Sequence, residues 1–349
     1  MAFLKNVLQE PHYGYERDGK LYVPTVRELF REYASRVDFL SDRKNWWPFF
    51  SFFTTFILII PVVLFFTIAF DWRYIFAGLA YSLWMNIHGT AYIHRYCSHH
   101  AFSFRNRFWL FLFRNLSIKV IMEEVFAISH YVHHRYPEDP GDPYNTKAGR
   151  LYCLLSDVNH QQIRKDLKEA DYLRLARLMK DTGVRCNTFA QYQKWGSITH
   201  PGWAIFHYIL NWGFWFAAFY LLGGLPLALG IFGTACGWGV SVRNFNFKSH
   251  GSGEDRRIPG RDFNQHSQAI NIPLAGYTAG EWHSNHHLYP TSARCDFQPG
   301  QFDTAWMLIA GMAKLGIVTS YKDYREAFLR NYYVPYLKEM ADGEHLPAA

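Results

Sequence analysis

Apolar and polar residues fall into long blocks along this chain instead of alternating at the two-residue period of strands. Residues 1–44 are polar and mixed in charge, as in Arg27-Glu-Leu-Phe-Arg-Glu-Tyr-Ala-Ser-Arg36, and lack the basic start, short apolar core and small-residue cleavage site of a secretory signal. They predict a cytosolic N-terminal segment. From Asn45 to Phe70 the chain then runs 26 residues without a charge and opens on Trp46-Trp47, long enough to span a bilayer with an aromatic anchor at its edge. A second apolar stretch from Tyr74 to about Ile93 follows the turn Asp71-Trp72-Arg73, so the two predict a transmembrane hairpin.

Residues 106–129 are also rich in apolar side chains, but Arg107, Arg114, Lys119, Glu123 and Glu124 interrupt them at spacings that lipid does not tolerate. An amphipathic helix on the membrane surface is predicted there. Residues 146–200 read as a polar helical layer, and residues 203–221 and 224–242 predict two more spans joined by a Gly-Gly turn. The expected fold is all-α: four transmembrane helices in two hairpins beneath a cytosolic helical cap, in one membrane domain over 45–320 with a cytosolic tail from 321. Arg43, Lys44, Arg95, Arg243 and Lys248 flank one end of the spans, whereas Arg73 is the only cation in the opposite turns. The positive-inside rule therefore places both termini on the cytosolic side of a multi-pass protein, in a bacterial inner membrane or the endoplasmic reticulum.

Of 349 residues, 49% are hydrophobic and 19% aromatic, which excludes disorder. The net charge of +7 suits membrane lipids or phosphates and does not by itself imply nucleic acid. Five dispersed cysteines without a CxxC pair indicate neither a disulfide framework nor a thiolate zinc site.

The 17 histidines change the picture, because most fall in three clusters just beyond the predicted spans. These are His94-Arg-Tyr-Cys-Ser-His99, His130-Tyr-Val-His133-His134 and His283-Ser-Asn-His286-His287, with Asn246-Phe-Lys-Ser-His250 at the end of the last span. On a helix, positions i, i+3 and i+4 share a face, so each HxxHH set is expected to point three imidazoles at a common centre. Nine histidines and an amide exceed the needs of one tetrahedral zinc and suit two metal ions of higher coordination; two irons would serve oxygen activation. Neutral ligands need partners that fix their tautomers, and Glu124, Asp142 and Glu281 are the candidates near in sequence. His12, His160, His200, His207, His266 and His345 are expected to be solvated or capped side chains, His88 to pack between helices, and His100 to stay outside the metal set.

At these residues the chain resembles the membrane fatty acyl desaturases of the delta-9, stearoyl-CoA type. Their HxxxxH, HxxHH and HxxHH boxes and the NxxxH after the fourth span correspond to HRYCSH at 94–99, HYVHH at 130–134, HSNHH at 283–287 and NFKSH at 246–250. The flanks Gly141-Asp-Pro-Tyr-Asn145 and Gly280–Arg294 are similar too. The resemblance implies a diiron centre with His94, His99, His130, His133, His134, His250, His283, His286 and His287 as ligands and Asn246 holding a coordinated water. It also implies that O2 and two electrons remove two hydrogens from adjacent methylenes of a fatty acyl substrate, leaving a cis double bond and water. His200-Pro-Gly-Trp203 is not a fused haem domain, so a separate donor, cytochrome b5 or ferredoxin, is implied. Tyr81, Trp84, Gly237 and Trp238 are candidates for the wall of the acyl tunnel. Arg95, Arg107, Arg114 and Lys119 are expected to be solvated or membrane-surface charges, with phosphate binding as the alternative. The carrier stays open between CoA, a glycerolipid and acyl carrier protein, and a membrane diiron hydroxylase, ketolase or sphingoid-base oxidase or a non-catalytic metal-binding or metal-transporting membrane protein remains the competing reading.

Overall fold

The computed structural model of the chain describes residues 2–273 and 279–343, so His345 lies outside the described residues. Near the N-terminus, strands β1 (Glu16–Arg17) and β2 (Lys20–Leu21) pair antiparallel through Asp18-Gly19, both at positive φ. Helix α1 (Val26–Val37) starts at a capping box in which the Thr25 side chain accepts from the Glu28 amide and the Glu28 carboxylate accepts the Thr25 amide. Its buried Glu32–Arg36 pair continues through an Arg36 bond to Gln162, docking the N-terminal segment on the chain around Gln162.

The first predicted span is two helices end to end, α2 (Trp46–Phe56) and α3 (Ile59–Ile68). Pro61 accounts for the break, since it offers no amide to the Ile57 carbonyl and its ring crowds that group. Helix α4 (Trp72–Gly89) is capped by Asp71 and continues directly into a π-helical segment, Thr90–Ser98. Between α4 and the next long helix the chain forms shorter helices, α5 (Arg107–Arg114), α6 (Glu123–Arg135), α7 (Arg150–Leu154), α8 (Ser156–Asn159), α9 (Glu169–Met179) and α10 (Phe189–Trp195). Residues 106–129 are thus not one surface helix: the chain breaks after Arg114 and α6 turns inward.

Helix α11 (Pro201–Ser249) is bent back on itself at Gly223 and Gly224, whose φ values are −153° and 70°. Phe216 and Phe232 show the reversal, with ring centroids 5.6 Å apart where a straight helix would separate them by about 24 Å. Both halves pack on α4. Tyr81 meets Phe219 and Trp215 of the first half, while Gly78 lies so close to Thr234 of the second that a side chain there would collide with it. At the tip the Tyr74 hydroxyl donates to the Gly223 carbonyl. Among the described residues two segments, Arg43–Ile68 and Pro201–Ser249, are long and apolar enough to cross a membrane. Phe66, Ile68, Phe76, Ile209, Phe214 and Leu222 are exposed on the outside of the rods, a surface that water does not favour.

Beyond α11 lie α12 (His283–Leu288), α13 (Thr304–Lys314), α14 (Arg325–Phe328) and α15 (Val334–Ala341). Strand β3 (Phe102–Phe104) pairs antiparallel with β4 (Val318–Tyr321), tying the segment after α4 to the C-terminal region.

Candidate metal centre

Each histidine box is placed by a different local device. His94 and His99 are five apart, which on an α-helix would turn their side chains about 140° away from each other. The π-helical segment pairs i with i+5 and brings their rings to 5.2 Å between centroids. The second box sits on the last turns of α6, the third forms the short α12, and His250 caps the end of α11. Asn285, inside the third box, is fixed by donating to the Cys295 carbonyl and Gln301 and by accepting from Asn271, which pins α12 to the segments on either side of it.

The HxxHH boxes do not each serve one centre. His130 and His134 join His94, His99 and His286 in a first cluster, whereas His133 joins His250, His283 and His287 in a second. Each box thus gives its i, i+4 pair to one cluster and its remaining histidine to the other. Within each cluster the ligand nitrogens all lie within 4.8 Å of one another. Nε2 atoms approach to 2.8 Å for His94 and His286, 2.9 Å for His286 and His134, 3.1 Å for His133 and His250, and 3.0 Å for His283 and His250. Two imidazoles on one metal at right angles, with bonds of about 2.1 Å, stand about 3 Å apart.

Tautomers decide that these contacts are not hydrogen bonds in the second cluster. His133 donates from Nδ1 to Asp142 at 3.0 Å and His250 donates from Nδ1 to Glu138 at 2.7 Å. In the neutral rings both Nε2 atoms then present lone pairs to each other, an arrangement that a cation between them relieves. Burial and the crowding of like rings hold His99, His130, His134, His283, His286 and His287 well below the ordinary imidazole range, which keeps them neutral and able to ligate. The buried His99 Nε2 has no hydrogen-bond partner among the described residues. The donor set fits two metal ions.

The carboxylates expected to orient the ligands sort differently. Asp142 does so, and its other contacts accept from the Tyr144 and Glu138 amides. Glu124 does not: its carboxylate accepts from the Ile198 and Thr199 amides, tying α6 to the start of α11. Glu281 is buried two residues before His283, and its main-chain carbonyl accepts from Ile272. Sequence reasoning missed Glu138, which stands at positive φ with its carbonyl held by Asn145. Its only sequence signal is the Pro137-Glu-Asp turn preceding Gly141-Asp-Pro-Tyr-Asn145.

An apolar cavity of about 480 Å³ opens on both clusters. Its lining runs from Leu79 and Ser82 of α4 past Gly237 and Trp238 of α11 to His94, His130 and His283, and includes Asn246 one turn before His250. A Cβ added at Gly237 would meet no atom within 4 Å. Tyr81 and Trp84 do not line it: the Tyr81 hydroxyl accepts from the Ile118 amide and the Trp84 indole donates to the Leu116 carbonyl, so both pin the 115–118 loop.

A family model described as "Fatty acid desaturase" matches residues 70–299, the span that holds every one of these histidines. The chain belongs to the fatty acid desaturase family. It is therefore an oxidoreductase acting in lipid metabolism. Similar curated proteins include the "Delta-9 desaturase-like 4 protein" of Arabidopsis thaliana, 26% identical over 72% of this chain and 78% of its own. The "Acyl-CoA C20 Delta5-desaturase" of Anemone leveillei is 25% identical over 72% and 75%, and the "sn-1 stearoyl-lipid 9-desaturase" of Synechocystis sp. is 25% identical over 90% and 94%.

Several single-residue expectations are corrected in this desaturase. Arg95 is neither solvated nor free for phosphate, since it is buried against Asp303 at 2.7 Å. Arg114 and Lys119 are buried on Glu123, at 2.7 and 2.9 Å, and only Arg107 of the four is exposed. His160 is buried and stacked on Tyr152 with centroids 3.9 Å apart. His88 does pack between elements, against the Phe113 carbonyl and Ser117, and His100 belongs to neither cluster.

Proposed function

We propose that this desaturase introduces a cis double bond at the delta-9 position of a saturated acyl chain. In this reading four spans in two hairpins, about 46–70, 74–93, 203–221 and 224–242, carry the cap, with the site and both termini cytosolic. His94, His99, His130, His134 and His286 would hold one iron, and His133, His250, His283 and His287 the other, with Asn246 supporting a water on the second. Two irons bound there would supply, with O2 and two electrons from a separate donor such as cytochrome b5 or ferredoxin, the oxidising power that an unactivated methylene pair demands.

The chain's own residues do the rest. Asp142 and Glu138 hold protons on His133 Nδ1 and His250 Nδ1, so the opposite nitrogens face inward as lone pairs. Leu79, Ile93, Ile121, Phe126, Val242 and Phe245 make the cavity apolar and keep water from the acyl chain. The single observation that carries this reading is that one apolar cavity touches His94 and His130 of the first cluster and His283 of the second. The relatives' names include both acyl-CoA and stearoyl-lipid substrates, so an acyl-CoA and an acyl-lipid are both tested.

The test is expression in a host without delta-9 activity, with fatty acids analysed by gas chromatography and mass spectrometry and His133→Ala as control. A new delta-9 monoene, lost in the control, is the expected result. Hydroxylated or oxo products would move the chain to the hydroxylase or ketolase reading. Metal bound without any new product, with either donor and either carrier supplied, would sink the catalytic reading.

A further inference from the structure

A second concavity, a groove of about 1160 Å³, lies between α5 and the end of α9 and shares no lining residue with the acyl cavity. Phe102, Phe104 and Leu110 give it an apolar wall. Opposite them Arg174, Arg177 and Lys180 follow one another at three-residue spacing along one face, and Arg107 adds a fourth cation from α5. Arg174 leans on Asp171 at 3.2 Å and over the Phe3 ring, and the buried Arg114 is neutralised by Glu123. Arg107, Arg177 and Lys180 are exposed, and among the described residues none of them is in an ion pair; Asp181 is the one acid in the lining. The groove therefore carries uncompensated positive charge.

What adjoins it narrows the ligand. Helix α5 turns Phe108, Phe111 and Leu112 outward at 60, 54 and 40% exposure, and Phe111 is also part of the groove. The carbonyls just after α5 accept from Trp84 and Trp215, which seats the end of α5 against the long apolar rods. Cations beside an apolar strip that adjoins those rods match a phosphate with acyl tails; a soluble anion would use the cations alone. We infer that this groove binds the headgroup of an anionic phospholipid whose tails lie over Phe108, Phe111 and Leu112. The inference rests on the membrane reading above. Because the groove is separate from the acyl cavity, this lipid anchors the cap and is not the chain being desaturated.

The experiment uses the full chain in mild detergent, with native mass spectrometry of bound phosphatidylglycerol and of phosphatidylcholine with the same acyl chains. Wild-type protein should prefer phosphatidylglycerol, R107Q/R177Q/K180Q should bind it about a hundredfold more weakly and R177Q alone about fivefold, with phosphatidylcholine unchanged. F111S should weaken the lipid while leaving the weak binding of glycerol 3-phosphate intact. Equal affinity for the two lipids, an unchanged triple variant with wild-type metal content, or displacement by glycerol 3-phosphate at equal concentration would overturn the inference. Stronger displacement by a poly-glutamate peptide would reassign the groove to an acidic protein. Fractionation separates the two possible failures: a chain found in the soluble fraction sinks the membrane reading, whereas a membrane-bound chain without lipid preference sinks this inference alone.

Discussion

The two histidine clusters share both HxxHH boxes, but different surroundings hold their rings. In the second, His133 and His250 are locked by Asp142 and Glu138, and Asp142 is itself tied into the turn that places Glu138. In the first, His130 Nδ1 and His286 Nδ1 are buried without a hydrogen-bond partner among the described residues, and orientation comes from ring packing, as where Phe126 stacks on His130 with centroids 4.9 Å apart. A carboxylate behind an imidazole makes it a better ligand and fixes its angle. The second centre should accordingly be the tighter and more rigid, and the first the one that adjusts and loses metal sooner.

The sharpest way to break this contrast is to remove one ligand from each side. His286→Ala and His133→Ala should both lower monoene formation by more than about a hundredfold. Only His133→Ala should empty the tighter site, which metal analysis after a mild chelator wash would report. Next in size, Glu138→Gln and Asp142→Asn should weaken metal binding about 10–100-fold at the second centre and spare the first. Equal loss from both centres would show that the carboxylates act on both clusters together. A third variant, Gly237→Phe, fills the cavity that both clusters share: product length should shift to shorter acyl chains in gas chromatography while metal content stays at the wild-type level. Unchanged chain length would exclude Gly237 from the acyl path.

The smallest effect concerns the support behind the second cluster, where the Tyr152 hydroxyl donates to the Asp142 carbonyl and His160 stacks on Tyr152. Burial holds His160 well below the ordinary imidazole range. Below about pH 6.5 the unfolded chain therefore binds a proton that the folded chain refuses. The stability present above that pH should be lost as pH falls toward the folded value, by about 1.4 kcal/mol per pH unit. Unfolding curves at pH 7.5, 6 and 5 should be flatter for His160→Gln.

Much of this was legible along the chain, because helical spacing and uncharged runs are local signals. The hairpin at Gly223-Gly224 and the assembly of nine histidines follow from them. The division of each HxxHH box was not legible, since a face of a helix does not say which partner each ring will meet. Glu138 and Arg95 were missed or misread for the same reason: their partners His250 and Asp303 are 112 and 208 residues away. A buried charge and a surface charge look alike until the opposing carboxylate is placed.

The π-helical turn at Thr90–Ser98 bears on what this protein can tolerate in the course of descent. Substitutions there leave the residue count intact and so keep His94 over His99. Inserting or deleting one residue between those two histidines would rotate one against the other by up to about 100° and carry a ligand out of the first cluster. The segment thus behaves like a reading frame in three dimensions: a changed letter leaves the two histidines in register, whereas a change of one in its length does not.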